Sequence, residues 1–309
     1  MLYILSRLGM AIGVIWGSIT LVFFIVNVLP GDVATLLAGD DVPTETETIH
    51  QLREELGLDR PLLVQYMDYI AGLFQGDLGT SYANSEPVLD RLLDNLGPTL
   101  ALTLSSMFVA VILGLILGIL SAVYQNKLLD GIIRVLSLIG VSTPNFWIGI
   151  LLIWIFSVQL HLLPSIGNGS FEQLILPSIG LGITGAGVIT RLIRNSILEA
   201  SNEPFIRSLR GKGIGQRAIL LKHILRHALI PAVTMLGMIF GEMLAGSVVT
   251  ETVFSRQGLG RLIVDAIDQK DIPIIQGSIL FTAVFYVCIN MLVDISYRFI
   301  DPRIRLNEK

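Results

Sequence analysis

Apolar residues along this chain gather into long runs separated by polar, turn-rich segments. A helix that crosses the hydrocarbon of a bilayer needs about 20 mostly apolar residues in succession. Six stretches qualify, roughly 8–29, 99–123, 135–158, 174–197, 228–250 and 272–293. The second, TLALTLSSMFVAVILGLILGILSAV, has no charge at all. The fourth is the weakest, being short, glycine-rich and followed by Arg191 and Arg194; the fifth carries Glu242 in its interior. The first run is longer than the apolar core of a secretory leader, and no small-x-small cleavage site follows it, so it reads as a retained span. The expected fold is an all-α integral membrane protein with six transmembrane helices. Its expected division is a first helix over 1–30, an extracytoplasmic helical segment over 31–97, and a five-helix core over 98–309 with a polar loop at about 199–227.

The polar segments carry their own periodicity. Thr44-x-x-Glu47 has the spacing of a capping box, and Ile49, Leu52 and Leu56 then fall on one helical face, with Gly57 as a stop. Pro61 opens a second amphipathic helix, PLLVQYMDYIAGLF, and a third short one is expected over 87–95. In the loop after the fourth run, Glu203-Pro204 has the acidic residue and proline of a helix start. Gly211-Lys212-Gly213 ends that helix after about two turns, which exposes Phe205, Ile206 and Leu209 among arginines. A longer amphipathic piece, 216–227, leads into the fifth run. Pro144, within STPNFWIG, predicts a kink in the third run, because proline removes a backbone donor and clashes with the preceding turn.

Composition agrees with the pattern: 52% of the 309 residues are hydrophobic and only 15% charged, against about 25% charged in soluble domains. The single cysteine, Cys288, lies in an apolar run and has no internal disulfide partner. Charge then assigns sides. Of the 21 Lys and Arg residues, 15 fall on the side shared by the termini and the 199–227 loop. Positive charge is retained in the cytoplasm, so both termini and that loop are expected to face inward. The 31–97 segment, with 13 Asp and Glu against three Arg, faces outward.

Several motifs carry less than they suggest. GLGITG (Gly180, Gly182, Gly185) fits a dinucleotide fingerprint, but that fingerprint requires a strand and a βαβ unit; inside an apolar run it reads as close helix packing. GLILG (114–118), GMIFG (237–241) and Gly9/Gly13/Gly17 have the small-xxx-small spacing of packed membrane helices. His223 and His227 are four apart, yet their flanks are Lys222 and Arg226 and no third ligand is near, so no metal is expected. No GxxxxGK[ST] loop and no hydrolase triad is present. Intramembrane ionisable and polar groups mark pathways or join helices; Glu242, Asn290 and Asp294 are the candidates, and both roles stand open. A channel would need a selectivity device and a membrane enzyme convergent catalytic groups; neither pattern is seen.

The chain resembles the permease subunits of the dipeptide, oligopeptide and nickel branch of ATP-binding-cassette (ABC) importers. The resemblance covers essentially its whole length. It rests on NVLPGD (27–32), LGLDRPLLVQY (56–66), GDLGTSY (76–82), STPNFW (142–147), GKG (211–213), ILRHALIPAVT (224–234), ETVFSRQGLGRL (251–262), DIPIIQG (271–277) and DPRIR (301–305). It implies half of a translocation pathway, paired with a second homologous permease. Two cytoplasmic ATPase subunits and an extracytoplasmic solute-binding protein complete the importer, in the cell membrane of a prokaryote. It also implies that Glu203–Gly213 is the coupling helix, with Glu203, Phe205, Ile206, Leu209, Lys212 and Gly213 in the ATPase contact. Pro144 becomes a candidate gate. This chain then supplies no catalytic group and takes no cofactor, metal or nucleic acid. Carried solutes in this branch are dipeptides, oligopeptides, glutathione-like peptides, nickel or metal chelates. Two departures stand out: SLRGKG where the family usually reads TARAKG, and Arg256-Gln257 where it often reads Trp-Pro.

Overall fold

The computed structural model describes residues 2–28, 34, 47–55 and 57–300, and at 2–8, 27–28, 55 and 293–300 the backbone alone. Residues 29–32 of NVLPGD, the Thr44 capping position and DPRIR lie outside the described residues. The described residues are helical throughout, apart from turns and one isolated bridge, Thr80 to Pro87. In chain order the helices are α1 (Leu2–Val28), α2 (Glu47–Glu55), α3 (Leu62–Phe74), α4 (Val88–Val123), α5 (Leu128–Ser142) and α6 (Asn145–Leu152). They continue as α7 (Glu172–Ser201), α8 (Pro204–Gly211), α9 (Gln216–Ile219), α10 (Leu225–Val253), α11 (Leu259–Asp268) and α12 (Ile272–Ile300). Wider π turns extend α6 over Ile153–Gln159 and join α9 to α10 over Leu220–Ile224.

Five helices are long and apolar enough to cross a membrane, and the sixth stretch is broken. There α5 and α6 meet at 108° across Thr143-Pro144. The kink expected at Pro144 is here a full break in the helix: Pro144 is extended (φ −60°, ψ 137°) and starts a new helix. One correction concerns 87–95, which is the first part of a 36-residue helix running through Pro98 into the second span. The 216–227 piece passes without a stop into α10, as its lead into the fifth run implies. The π turn Leu220–Ile224 lies there, with His223 inside it and His227 in α10.

The chain divides into two compact units, residues 1–97 with 261–287, and 98–260 with 288–309. In the first, Phe23 and Phe24 of α1 stack on or edge against Tyr66 of α3, and Phe23 stacks on Tyr69 with ring centroids 5.8 Å apart. The Thr20 hydroxyl meets the Tyr66 hydroxyl at 2.7 Å. Burial pushes the Tyr69 phenol up to about 12. Asp271 is buried at the head of α12 and accepts hydrogen bonds from Ser81 Oγ and from the Tyr82 N–H at 3.2 Å. That carboxylate pins the GDLGTSY loop. Gly277 lets α12 approach the start of α4, since a methyl there would meet Val88 Cγ1 at 2.7 Å.

The second unit is built around α7. Its glycines abut neighbouring backbone: a Cβ on Gly182 would lie 2.8 Å from the Ser106 carbonyl oxygen, and one on Gly187 2.6 Å from that of Ser137. GLGITG is thus a packing surface, as its place in an apolar run implies. Gly114 of GLILG makes the matching approach to Ile189, 2.6 Å for a built Cβ. Gly9, Gly13 and Gly17 differ, for nothing described lies within 4 Å of a Cβ on any of them.

Candidate functional site

The coupling segment is made by local rules. Glu203 is extended (φ −62°, ψ 143°) and Pro204 occupies the first helical position, where its missing N–H costs nothing. At the other end Gly213 takes φ +79°. Its N–H reaches Arg210 O at 3.0 Å, and that of Ile214 reaches Leu209 O at 3.3 Å. These are the two bonds of a Schellman motif, which requires the left-handed conformation that glycine adopts freely.

The apolar face of α8 is not exposed as the sequence pattern implies. Ile206 is fully buried, and Leu209 is half-buried against the same core, with Ile197, Ala200, Ile219 and Ile224. Burying an isoleucine side chain stabilises by about 1.5–3 kcal/mol, so Ile206 anchors the stub to its own chain. Left outside are Glu203, Phe205, Arg207, Ser208, Arg210 and Lys212. Phe205 is 39% exposed and its ring lies 5.3 Å from that of His227.

Behind the stub lies an ion pair that sequence reasoning missed. Asp130, fully buried in the first turn of α5, receives Arg194 Nε at 2.8 Å and Nη2 at 2.9 Å. It also receives Ser121 Oγ at 2.6 Å and the Asn126 N–H at 3.0 Å. One carboxylate thus joins the end of α4, the turn after it, the start of α5 and the later part of α7. The only sequence sign was an acidic residue in a helix's first turn.

The helix break at Pro144 is lined by polar contacts. Asn145 Oδ1 accepts a hydrogen bond from Thr184 Oγ1 of α7 at 2.6 Å. Its amide nitrogen would lie 3.0 Å from a Cβ on Gly246 of α10. One helical turn before Gly246, Glu242 is exposed, with no hydrogen bond or ion pair to any described residue. Glu242 shares an exposed stripe of α10 with Pro231, Thr234, Met238, Ala245, Val249 and Thr252. A charged side chain at the centre of a bilayer costs about 2.5–3.5 kcal/mol or more if it faces lipid. Asn290 is half-buried, and the Asp294 side chain lies outside the described residues.

A second buried carboxylate follows α10. Glu251 is fully buried and accepts a hydrogen bond from Thr99 Oγ1 at 2.6 Å, while the Leu259 N–H donates to the same hydroxyl at 2.8 Å. Gly258 makes room for it, since a Cβ there would lie 2.3 Å from the carboxyl carbon. Arg256, the departure from Trp-Pro, is 4% exposed and donates to Gly167 O at 3.2 Å and Gln173 O at 3.0 Å. Burial lowers its guanidinium pKa and the Glu251 charge opposes that shift. No group of three metal-ligating side chains exists among the described residues.

Comparison with known proteins agrees with this architecture. Residues 114–306 match the family described as "Binding-protein-dependent transport system inner membrane component". Residues 1–103 match its N-terminal companion, "Binding-prot-dependent transport system membrane comp, N-term". The glutathione transport system permease protein GsiC of Salmonella choleraesuis (strain SC-B67) is 43% identical over 303 residues, covering 98% of each chain. GsiC of Escherichia coli (strain K12) is 42% identical over the same share. Among solved structures, the MetNI methionine ABC transporter in an inward-facing conformation superposes with a TM-score of 0.59 at 23% identity, covering 70% of this chain and 99% of that one. An amino acid ABC transporter gives 0.53 at 20% identity, over 68% and 94% of the two chains. At that identity these two show a shared fold. The chain belongs to the binding-protein-dependent transport system inner membrane components: it is a multi-pass permease subunit of an ABC importer, and not itself an enzyme.

Proposed function

We propose that this chain forms half of the translocation pathway for short, glutathione-like peptides in the inner membrane of a prokaryote. The 43% identity to glutathione permeases over nearly the whole length supports that solute class over nickel or metal chelates. A second, homologous permease supplies the other half, an extracytoplasmic solute-binding protein delivers the peptide, and two cytoplasmic ATPases drive the cycle. Both termini and α8 face the cytoplasm, in keeping with the bias of Lys and Arg.

The observation that carries the coupling assignment is the two-sided build of α8. Ile206 and Leu209 hold it to the bundle, and Phe205 with a basic rim stands outside, ready to enter a groove of the ATPase. Closure of the ATPases on ATP then pushes α8, and the anchored core follows, opening the pathway outward; ATP hydrolysis resets it. Glu242, Asn290 and Asp294 belong to the pathway or to the packing of its helices, and the break at Pro144 is its hinge.

Removing 205–209 would also remove the Ile206 anchor, so the test is a surface change. In the assembled importer, Phe205→Glu with Arg210→Glu is expected to abolish peptide uptake and solute-stimulated ATP hydrolysis, with membrane insertion and thermal midpoint kept. Unaltered uptake would refute the docking role. A binding screen on the cognate solute-binding protein tests the solute class.

A further inference from the structure

We propose that Glu242 recognises the passing peptide by its free ammonium group. The inference rests on the permease reading above and deepens it, by giving one pathway residue a chemical selectivity. Glu242 lies eight residues inside the apolar stretch 228–250, so at about 1.5 Å per residue it stands about 12 Å within the hydrocarbon layer. It is exposed there, and no described residue hydrogen-bonds or pairs with it. A carboxylate at that depth needs water or a cation. Lipid supplies neither, so this face of α10 borders an aqueous path or another protein.

The surroundings favour the path. One turn further along α10, Gly246 abuts Asn145, where the broken span turns by 108°. Non-helical backbone at membrane depth is tolerated where it is buried in protein or lines a water-filled cavity. The half-buried Asn145–Thr184 pair, hydrogen-bonded at 2.6 Å, makes that corner polar. Polar corner and lone carboxylate thus occupy one level of the bundle. The complement of an unpaired carboxylate is a cation, and the cation of a short peptide is its amino terminus. Contact with a cation of the second permease is the competing arrangement, and labelling separates the two.

The test uses the assembled importer in proteoliposomes, with S-methylglutathione, which keeps the free amine and lacks a thiol. Glu242→Gln is expected to raise the KM for its uptake at least tenfold, Glu242→Asp to stay within about threefold of wild type, and Glu242→Lys to abolish uptake. The thermal midpoint of all three should match wild type. In a Cys288→Ser background, Glu242→Cys should react with a membrane-impermeant maleimide, and S-methylglutathione with the binding protein should slow that reaction. Uptake by Glu242→Gln within twofold of wild type, or an unreactive Glu242→Cys, overturns the inference and leaves the permease reading intact. Absence of uptake of any amine-bearing peptide by the wild-type importer overturns the reading itself.

Discussion

Helix α7 and the fifth span, which ends in α10, are both membrane-crossing rods with an internal proline, Pro177 and Pro231. They use their surfaces in opposite ways. Within the chain, 61% of the apolar window of α7 is buried, against 39% for the fifth span. The less oily helix is the more buried one. Inside a bilayer the lipid already satisfies an apolar side chain, so burial among helices follows small size and close contact rather than hydropathy. Glycines at 182 and 187 bring α7 against the backbones of its neighbours. The fifth span instead keeps a stripe from Pro231 to Thr252 outside the chain's own core. One helix holds the subunit together; the other offers it to something else.

That contrast can be broken by substitution. The largest effect is expected at the ion pair that fixes α7. Asp130→Ala leaves Arg194 without its partner in a mostly buried position, a loss of about 3–5 kcal/mol, read as a fall in the thermal midpoint of the purified subunit. Replacing Arg194 by Met in the same chain should recover much of it. Next comes Gly187→Leu, where the new side chain meets the Ser137 carbonyl; overpacking of this kind costs about 1–3 kcal/mol, seen as a lower midpoint. The smallest is Met238→Ala on the exposed stripe of α10, within about 0.5 kcal/mol for the isolated subunit. A Met238 variant as unstable as the Gly187 variant would show that the stripe is core, and the contrast would fail.

Local rules were legible in the residues. Pro204 and Gly213 bound α8 because one lacks an N–H and the other lacks a Cβ, and both facts are chemical rather than positional. The apolar runs announced their helices for the same reason. The partner of a buried charge was not legible. Asp130 and Arg194 are 64 residues apart, and nothing between them marks the pairing. Ile206 also misled: its spacing among arginines suggested an exposed face, while the direction of that face depends on how the chain turns after Ser201. Arg256 read only as a departure from the family's Trp-Pro and is a buried donor to two carbonyls.

The chain's amino acids by themselves determined that it lives in a membrane, where its apolar runs lie, and which segment carries the basic stub. Those follow from transfer of side chains between water and oil and from the backbone limits of proline and glycine. Only the tertiary structure decided which face of each helix is used, that the turn at Pro144 reaches 108°, and that Glu242 pairs with no described residue of its own subunit. Those depend on contacts between residues far apart in the chain, whose distances no local pattern encodes.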